Sequence, residues 1–428
     1  LLPIEYLKFL YLFNMIISVI IYFTLFGKRW HPVFIFIGTL SLFQGGLFIG
    51  NINTEFNPSY IPLMGANLYV SDETVRMSVL LLILSYWFVL LGGYLGNKSK
   101  VSHFYKSSLS NNNFYRIFFL ILFFITLPFY AYKQLNYFNY FLNYGYLAFY
   151  KSSEFLENVA FLTRAISFFT PISFLGYFLL ENKKKKIFLI ASIFFTFNIF
   201  TLLSGFRGSF FTFWLVFLLF YYLKFNSKLS ILKVFLIFTF IAIVSVLISL
   251  GRESANYNIS KLDKNPLLEF IKQQGVSFYV TEMAVEFSDE FSPKIFDYLL
   301  WQPISAILST ALSVPGRAFA TDLMIKINYD GYLAGFGVGS AYIAEAYLLG
   351  GPPAVFFVSF FIGYLLSRLF NIFAYSNIYL KIVIFTAIQY MIYLPRDLLL
   401  MPLSQVIKVS IYLILIYFIA KFVRNFKV

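Results

Sequence analysis

An all-α polytopic membrane bundle of about eleven helices (ten to twelve) is the fold class this chain predicts. Three observations predict it. Of its 428 residues, 60% are hydrophobic and only 12% charged, with a mean hydropathy of +0.77. Apolar runs repeatedly approach the ~20 residues that a helix needs to cross a bilayer. Basic residues crowd into the short connections on one side of those runs. In chain order the spans fall at residues 9–26, 33–50, 77–96, 117–132, 165–180, 187–203, 209–223, 232–250, 354–370, 382–394 and 398–420.

The charge distribution orients these spans. Connections assigned to the inner side hold Lys28, Arg29, Lys98, Lys100, Lys106, Arg116, Lys183 to Lys186, Lys224, Lys228, Lys233, Arg368, Lys381, Lys421, Arg424 and Lys427. That is 18 basic residues against one acid, Glu181. The other 15 basic and 18 acidic residues lie outside or within spans, so the inner side carries +17 and the remainder −3 of the formal +14. Such asymmetry in short loops is the positive-inside rule. It puts the C-terminus in the cytoplasm and, with an odd number of spans, the N-terminus outside. Topology thus accounts for the basic excess, and no nucleic-acid partner is expected. With no cysteine, disulfides and thiolate metal sites are excluded. His31 and His103 sit in short basic loops, and no metal or nucleotide motif occurs, so no cofactor is expected. The start lacks a basic n-region and a small-residue cleavage site, which argues against a cleavable signal peptide; it begins with Leu rather than Met, leaving room for residues ahead of it.

Two outer segments are long. Residues 133–164 carry Tyr137, Tyr140, Phe141, Tyr144, Tyr146, Phe149 and Tyr150, as expected of an amphipathic helix lying along the interface. Lipid contact and an A/T-rich coding bias explain the aromatic density plainly; stacking on sugar rings is the sharper account. Residues 251–338 form the one sizeable extramembrane region. Asn265-Pro266 starts a helix there and Gly275 stops it. A second helix, about 277–290, would set Glu282, Glu286, Asp289 and Glu290 on a solvated face. A third, about 294–313, is apolar and ends at Pro315-Gly316. No repeat and no strand alternation stand out.

Four arginines mark the outer mouth: Arg207 in Ser204-Gly-Phe-Arg-Gly208, Arg252 in Leu250-Gly-Arg-Glu253, Arg317 in Val314-Pro-Gly-Arg317, and Arg396 in Leu394-Pro-Arg-Asp397. Between Lys186 and Lys224 lie 37 residues that must cross twice, and ~20 per crossing leaves nothing for an exposed turn. Ser204 to Gly208 must therefore turn at or just below the outer surface, where Gly205 and Gly208 let backbone or ligand come close. The 39 residues between Lys381 and Lys421 put Pro395-Arg396-Asp397 at similar depth. A guanidinium held there is costly unless it meets a wet cavity or an anion. A single such arginine reads as snorkelling to headgroups or pairing with a neighbouring acid, as Asp397 beside Arg396 and Glu253 beside Arg252 permit. Four at matching depth predict an anion site for a phosphorylated lipid, whose oxygens the guanidinium fork fits.

Glu345 is the only acid between Gly335 and Gly351, flanked by Ile343, Ala344, Ala346, Tyr347 and Leu348. A carboxyl isolated among apolar residues holds its proton more readily, which suits a general acid or base. Structural partnership with one of the arginines explains the spacing equally well. Lys408, about three turns into the last span, is either a buried counter-ion or a cation facing a cavity.

These motifs resemble those of the O-antigen, or oligosaccharide repeat-unit, polymerases (Wzy-type) of bacterial envelope polysaccharide pathways. Ser204-Gly-Phe-Arg-Gly208 matches the family's Gly-x-Arg-Gly turn between two spans. Val314-Pro-Gly-Arg317 resembles its Pro-Gly-Arg or Pro-x-Arg segment, and Ile343-Ala-Glu-Ala-Tyr347 through Gly350-Gly351 its Glu-x-Tyr-x-x-x-Gly segment. Pro395-Arg396-Asp397 is similar to its Arg-acid turn before the last span. The likeness covers most of the chain in layout, and motif order and sidedness agree. It implies a metal-independent GT-C-type glycosyltransferase of the bacterial cytoplasmic membrane, working at the outer face on undecaprenyl-pyrophosphate-linked oligosaccharide. A growing chain would pass from its carrier to the incoming lipid-linked unit. The implied pyrophosphate ligands are Arg207, Arg252, Arg317 and Arg396 with Gly205 and Gly208, and the implied catalytic residues are Glu345 and Arg317. Glu282, Glu286, Asp297 and Asp322 remain alternative bases. Besides membrane lipid, a Wzz-type chain-length co-polymerase is the implied partner. Two relatives in function are disfavoured. O-antigen ligases are expected to carry a histidine in the large outer loop, and residues 251–338 hold none. A lipid-linked-oligosaccharide flippase is expected to show two similar halves, and no internal repeat is found. Arginines within tight turns also speak against a purely structural membrane protein.

Overall fold

The computed structural model describes residues 3–27, 30–52, 57–63, 66–99, 112–145, 159–225, 266–311 and 318–425. Long apolar runs become long helices. The first part of the chain forms α1 (Ile4–Phe26), α2 (Pro32–Phe43), α3 (Gly46–Gly50), a hairpin of β1 (Tyr60–Leu63) and β2 (Ala66–Tyr69), and α4 (Asp72–Lys98). Then come α5 (Asn112–Tyr144), α6 (Phe161–Ser167), α7 (Phe169–Leu180), α8 (Lys184–Leu203) and α9 (Arg207–Phe225). Shorter helices follow: α10 (Pro266–Gln274), α11 (Ser277–Glu286), α12 (Ser288–Phe291), α13 (Ile295–Ala311), α14 (Phe319–Ile327) and α15 (Tyr329–Leu333). The chain closes with α16 (Tyr342–Phe373), α17 (Ile378–Tyr393) and α18 (Met401–Asn425).

Among the described residues, nine helical segments are long and apolar enough to cross a membrane: Tyr6–Phe26, Asp72–Lys98, Asn113–Tyr144, Phe161–Leu180, Lys184–Leu203, Arg207–Phe225, Tyr342–Phe373, Ile378–Arg396 and Met401–Asn425. They correspond to nine of the eleven predicted spans. The predicted span 232–250 lies outside the described residues. The predicted span 33–50 is broken at Gln44-Gly45 into the 12-residue α2 and the five-residue α3. The cause is polar. Gln44 is fully buried, so its amide must find partners. It donates to Pro395 O (2.7 Å) and Ser277 O (3.3 Å) and accepts from Thr281 Oγ1 (3.0 Å).

Helix starts follow local capping chemistry. Ser71 Oγ accepts from Thr74 N (3.2 Å) at the head of α4, with Asp72 and Glu73 in the first turn favouring the helix dipole. Asn377 Oδ1 does the same for Leu380 N (2.9 Å) at the head of α17. Helices α4 and α16 meet backbone to backbone: a Cβ on Gly92 or Gly96 would strike the Phe360 or Tyr364 carbonyl, and one on Gly363 the Val89 carbonyl. Small residues at such crossings are how membrane helices approach closely.

Three expectations are corrected. Residues 133–144 are not a separate helix; they continue α5, because no glycine or proline interrupts the helix between Pro128 and Gly145, and 146–158 lie outside the described residues. Glu282 is not on a solvated face. It is fully buried where α11 packs against α4 and α16, whereas Glu286, Asp289 and Glu290 are exposed as expected. A short antiparallel hairpin, pairing Tyr60 with Tyr69 and Leu63 with Ala66, stands where no strand was foreseen. Four-residue strands are too short for alternation to show.

Several helix ends that the charge census groups together are in contact. Ends assigned to the inner side meet one another: Arg368 Nη1 donates to Ser99 O (2.9 Å), and Lys224 Nζ donates to the Phe178, Leu179 and Glu181 carbonyls. Arg116 pairs with Glu181, the one inner acid, at 3.9 Å. Ends assigned to the outer side meet at the turn after α17.

Candidate functional site

The site is built on the turn that joins α17 to α18. Helix α17 gives way at Leu394–Arg396 to a single 3₁₀ turn, and α18 begins at Met401 with Pro402 in its first turn. The backbone groups between must be satisfied by other elements. Gln44, from the break after α2, donates to Pro395 O (2.7 Å). Glu345 Oε2, from the first turn of α16, accepts from Leu399 N (2.9 Å). Gln302 Oε1, from α13, accepts from Leu400 N (2.8 Å), and its Nε2 donates to Glu345 Oε2 (2.8 Å). Ser340 Oγ donates to Glu345 Oε1 (2.7 Å). Both Glu345 oxygens are engaged, and the residue is fully buried. Three elements distant in sequence therefore hold one seven-residue turn.

Asp397 stands on that turn, half-buried, and accepts from Leu398 N (2.8 Å). Burial pushes its carboxyl up to about 7; the Leu398 N–H works against the rise, and the nearby Glu345 charge adds to it. The two acids are thus electrostatic neighbours. Arg396, beside them in sequence, donates from Nη1 to Gln274 Oε1 (2.7 Å) and lies 5.5 Å from the Phe43 ring centroid.

The second arginine turn abuts the first. Between α8 and α9 only Ser204, Gly205 and Phe206 are non-helical, as the length argument required. Gly205 has φ +93°, a conformation that side chains resist, and Phe206 N reaches back to Thr201 O (3.0 Å). Arg207 opens α9, with Nε and Nη2 shielded from solvent. Gly208 lies against the Tyr393 ring, and any Cβ there would collide with it. Tyr393 also packs edge-on against Phe43, under Arg396 (ring centroids 5.4 Å).

The structure therefore joins the Arg207 turn, with Gly205 and Gly208, to the Arg396–Asp397 turn, and ties Glu345 directly to the latter. Arg252 and Arg317 lie outside the described residues. Of the alternative acids, Asp297 is exposed and Asp322 accepts from Tyr298 Oη (2.6 Å). Buried Glu282 has its carboxyl pushed well above the usual range by desolvation. Gln44, Gln274, Gln302 and Ser340 went unnoticed in sequence. Gln44 and Gln302 carried the same signal as Glu345, a polar side chain alone in an apolar stretch.

Comparison with known proteins agrees with this layout. The family model of the O-antigen polysaccharide polymerase Wzy matches residues 4–426, nearly the whole chain. No curated protein and no solved structure matches it. A multi-pass helical bundle with paired arginine turns and a match over nearly its full length together mean that the chain belongs to the O-antigen polysaccharide polymerase Wzy family, whose role is the polymerisation of O-antigen repeat units.

Proposed function

We propose that the chain joins undecaprenyl-pyrophosphate-linked oligosaccharide units at the outer face of the bacterial cytoplasmic membrane. In this reading the growing chain moves onto the incoming unit without a metal ion. One observation carries it: two arginine turns far apart in sequence meet around Tyr393, and one of them bears Asp397 and is bonded through Leu399 N to Glu345 of α16. The acceptor's sugar hydroxyl attacks the anomeric carbon of the growing chain. The bond from that carbon to the diphosphate oxygen breaks, and the diphosphate leaves with the electron pair. Arg207 and Arg396 stabilise its developing charge, joined by Arg252 and Arg317, with Gly205 and Gly208 permitting close approach. The hydroxyl proton passes to the Glu345–Asp397 pair. Glu345 has both oxygens committed, whereas one Asp397 oxygen carries the bond to Leu398 N. That favours Asp397 as acceptor and Glu345 as the residue that positions it. A Wzz-type co-polymerase would set chain length.

Surface polysaccharide from a deletion strain tests the reading. A surface product capped by single repeat units is expected. Polymer accumulating on its lipid carrier would point instead to a ligase, and loss of both polymer and single-unit caps to a flippase.

A further inference from the structure

A second group of cations lies next to the arginine turns. Lys133 on α5 and Arg164 on α6 sit on helices that pack together, and Lys408 on α18 reaches Phe168, one turn beyond Arg164. Lys133 Nζ sits 5.5 Å from the Tyr137 ring centroid, and Lys408 Nζ 4.2 Å from that of Phe168. All three cations are half-buried, and Arg164 Nε is buried without a hydrogen bond. No carboxylate pairs with any of them among the described residues. The rings of Phe168, Phe169 and Tyr412 pack together beside the cluster, at 4.9 and 4.8 Å. Tyr137 in turn touches Phe206 of the Arg207 turn (6.3 Å), so the cluster borders the site already described.

Three like charges drawn from three helices repel one another, and partial burial denies them full hydration. Aromatic faces compensate only in part. What completes such a group is an anion with several oxygens, and an apolar aromatic flank suits one carried on a hydrocarbon tail. The proposed polymerisation brings together two lipid-linked units, each with its own diphosphate, while the arginine turns account for one. We infer that Lys133, Arg164 and Lys408 form a second diphosphate site, one that holds the lipid-linked partner of the unit bound at the arginine turns. This rests on the polymerase reading and assigns Lys408 its role.

The test uses the full chain in nanodiscs of zwitterionic lipid, with geranylgeranyl diphosphate as probe and native mass spectrometry to count bound equivalents. Two equivalents are expected for the wild type. The double variant Lys133→Gln/Lys408→Gln should keep one, Arg396→Gln should keep the other, and Lys408→Arg should keep both. Circular dichroism and thermal unfolding check that each variant is folded. If the double variant fails that check, Lys408→Gln alone should weaken one equivalent at least tenfold. A folded variant that still binds two equivalents overturns the site. Inorganic pyrophosphate binding there as tightly as the prenyl compound overturns the lipid part, and displacement by added phosphatidylglycerol assigns the cluster to bulk headgroups instead. Failure of the polymerase reading is seen separately, as normal polymer from a deletion strain, and leaves the binding count untouched.

Discussion

Asp397 is where residue chemistry and pH meet. A base must be deprotonated to act, so polymerisation should rise about tenfold per pH unit below about 7 and level off above it. Asp397→Asn should abolish that rise and lower the rate by ~10²–10⁴-fold. Glu345→Gln should also impair polymer, through a misplaced turn, while whatever activity remains still rises with pH but does so at lower pH, because the Glu345 charge helps hold the Asp397 carboxyl up. Polymer ladders and initial rates from pH 5.5 to 8.5 separate the two roles. The stability consequence has the opposite sense. A carboxyl whose folded pKa is raised is preferred protonated by the fold, so its contribution is fully present below its unfolded value of ~3.9 and is lost as pH rises through about 7. The wild-type melting temperature should therefore fall across that window relative to Asp397→Asn. Arg207→Lys and Arg396→Lys should leave a folded protein making little polymer, because a point charge does not reproduce the guanidinium fork. Full-length polymer from either would speak for a structural role.

Among the elements, the tight ones are those made by glycine. Replacing Gly96 with Leu puts a side chain against the Tyr364 carbonyl and should separate α4 from α16. Overpacking of this kind typically costs about 1–3 kcal/mol. It should appear as a lowered thermal midpoint in detergent, with lipid-facing Leu91→Val, whose residue is 47% exposed, as the silent control. Gly205→Ala forces a Cβ into the left-handed region at about 1–2 kcal/mol. The α8–α9 turn was legible because two crossings consumed every residue between Lys186 and Lys224. The break in α2 was not. Its cause is a hydrogen bond from Gln44 to a carbonyl 351 residues away, and composition carries no trace of that partner.

At the scale of the whole molecule, topology is the most exposed expectation. A reporter fused after Lys186 should read as cytoplasmic and one after Ala334 as external, with the C-terminus inside. An external reading for the Lys183–Lys186 connection would invert every assignment, including the placement of the arginine turns. The Arg368–Ser99 contact requires those two ends to share one side, and the Lys224–Glu181 contact requires the same of its own two, whichever side that is.

Membrane class and helix positions were legible in the sequence itself, because they depend on a local quantity, run length against bilayer thickness, and charge in short connections set the expected sidedness. The same locality exposed Arg207, Glu345 and Arg396 as polar residues where apolar ones belong. Their grouping was decided only by tertiary structure. Gly208 meets Tyr393, Glu345 meets Leu399, and Lys408 meets Phe168 through packing between helices whose separation in sequence says nothing of their distance in space. Glu282 and Glu286, one helical turn apart in one segment, show the limit. One is buried and one exposed, because the neighbouring helices enclose α11 from Ser277 to Ala284 and leave its C-terminal end open.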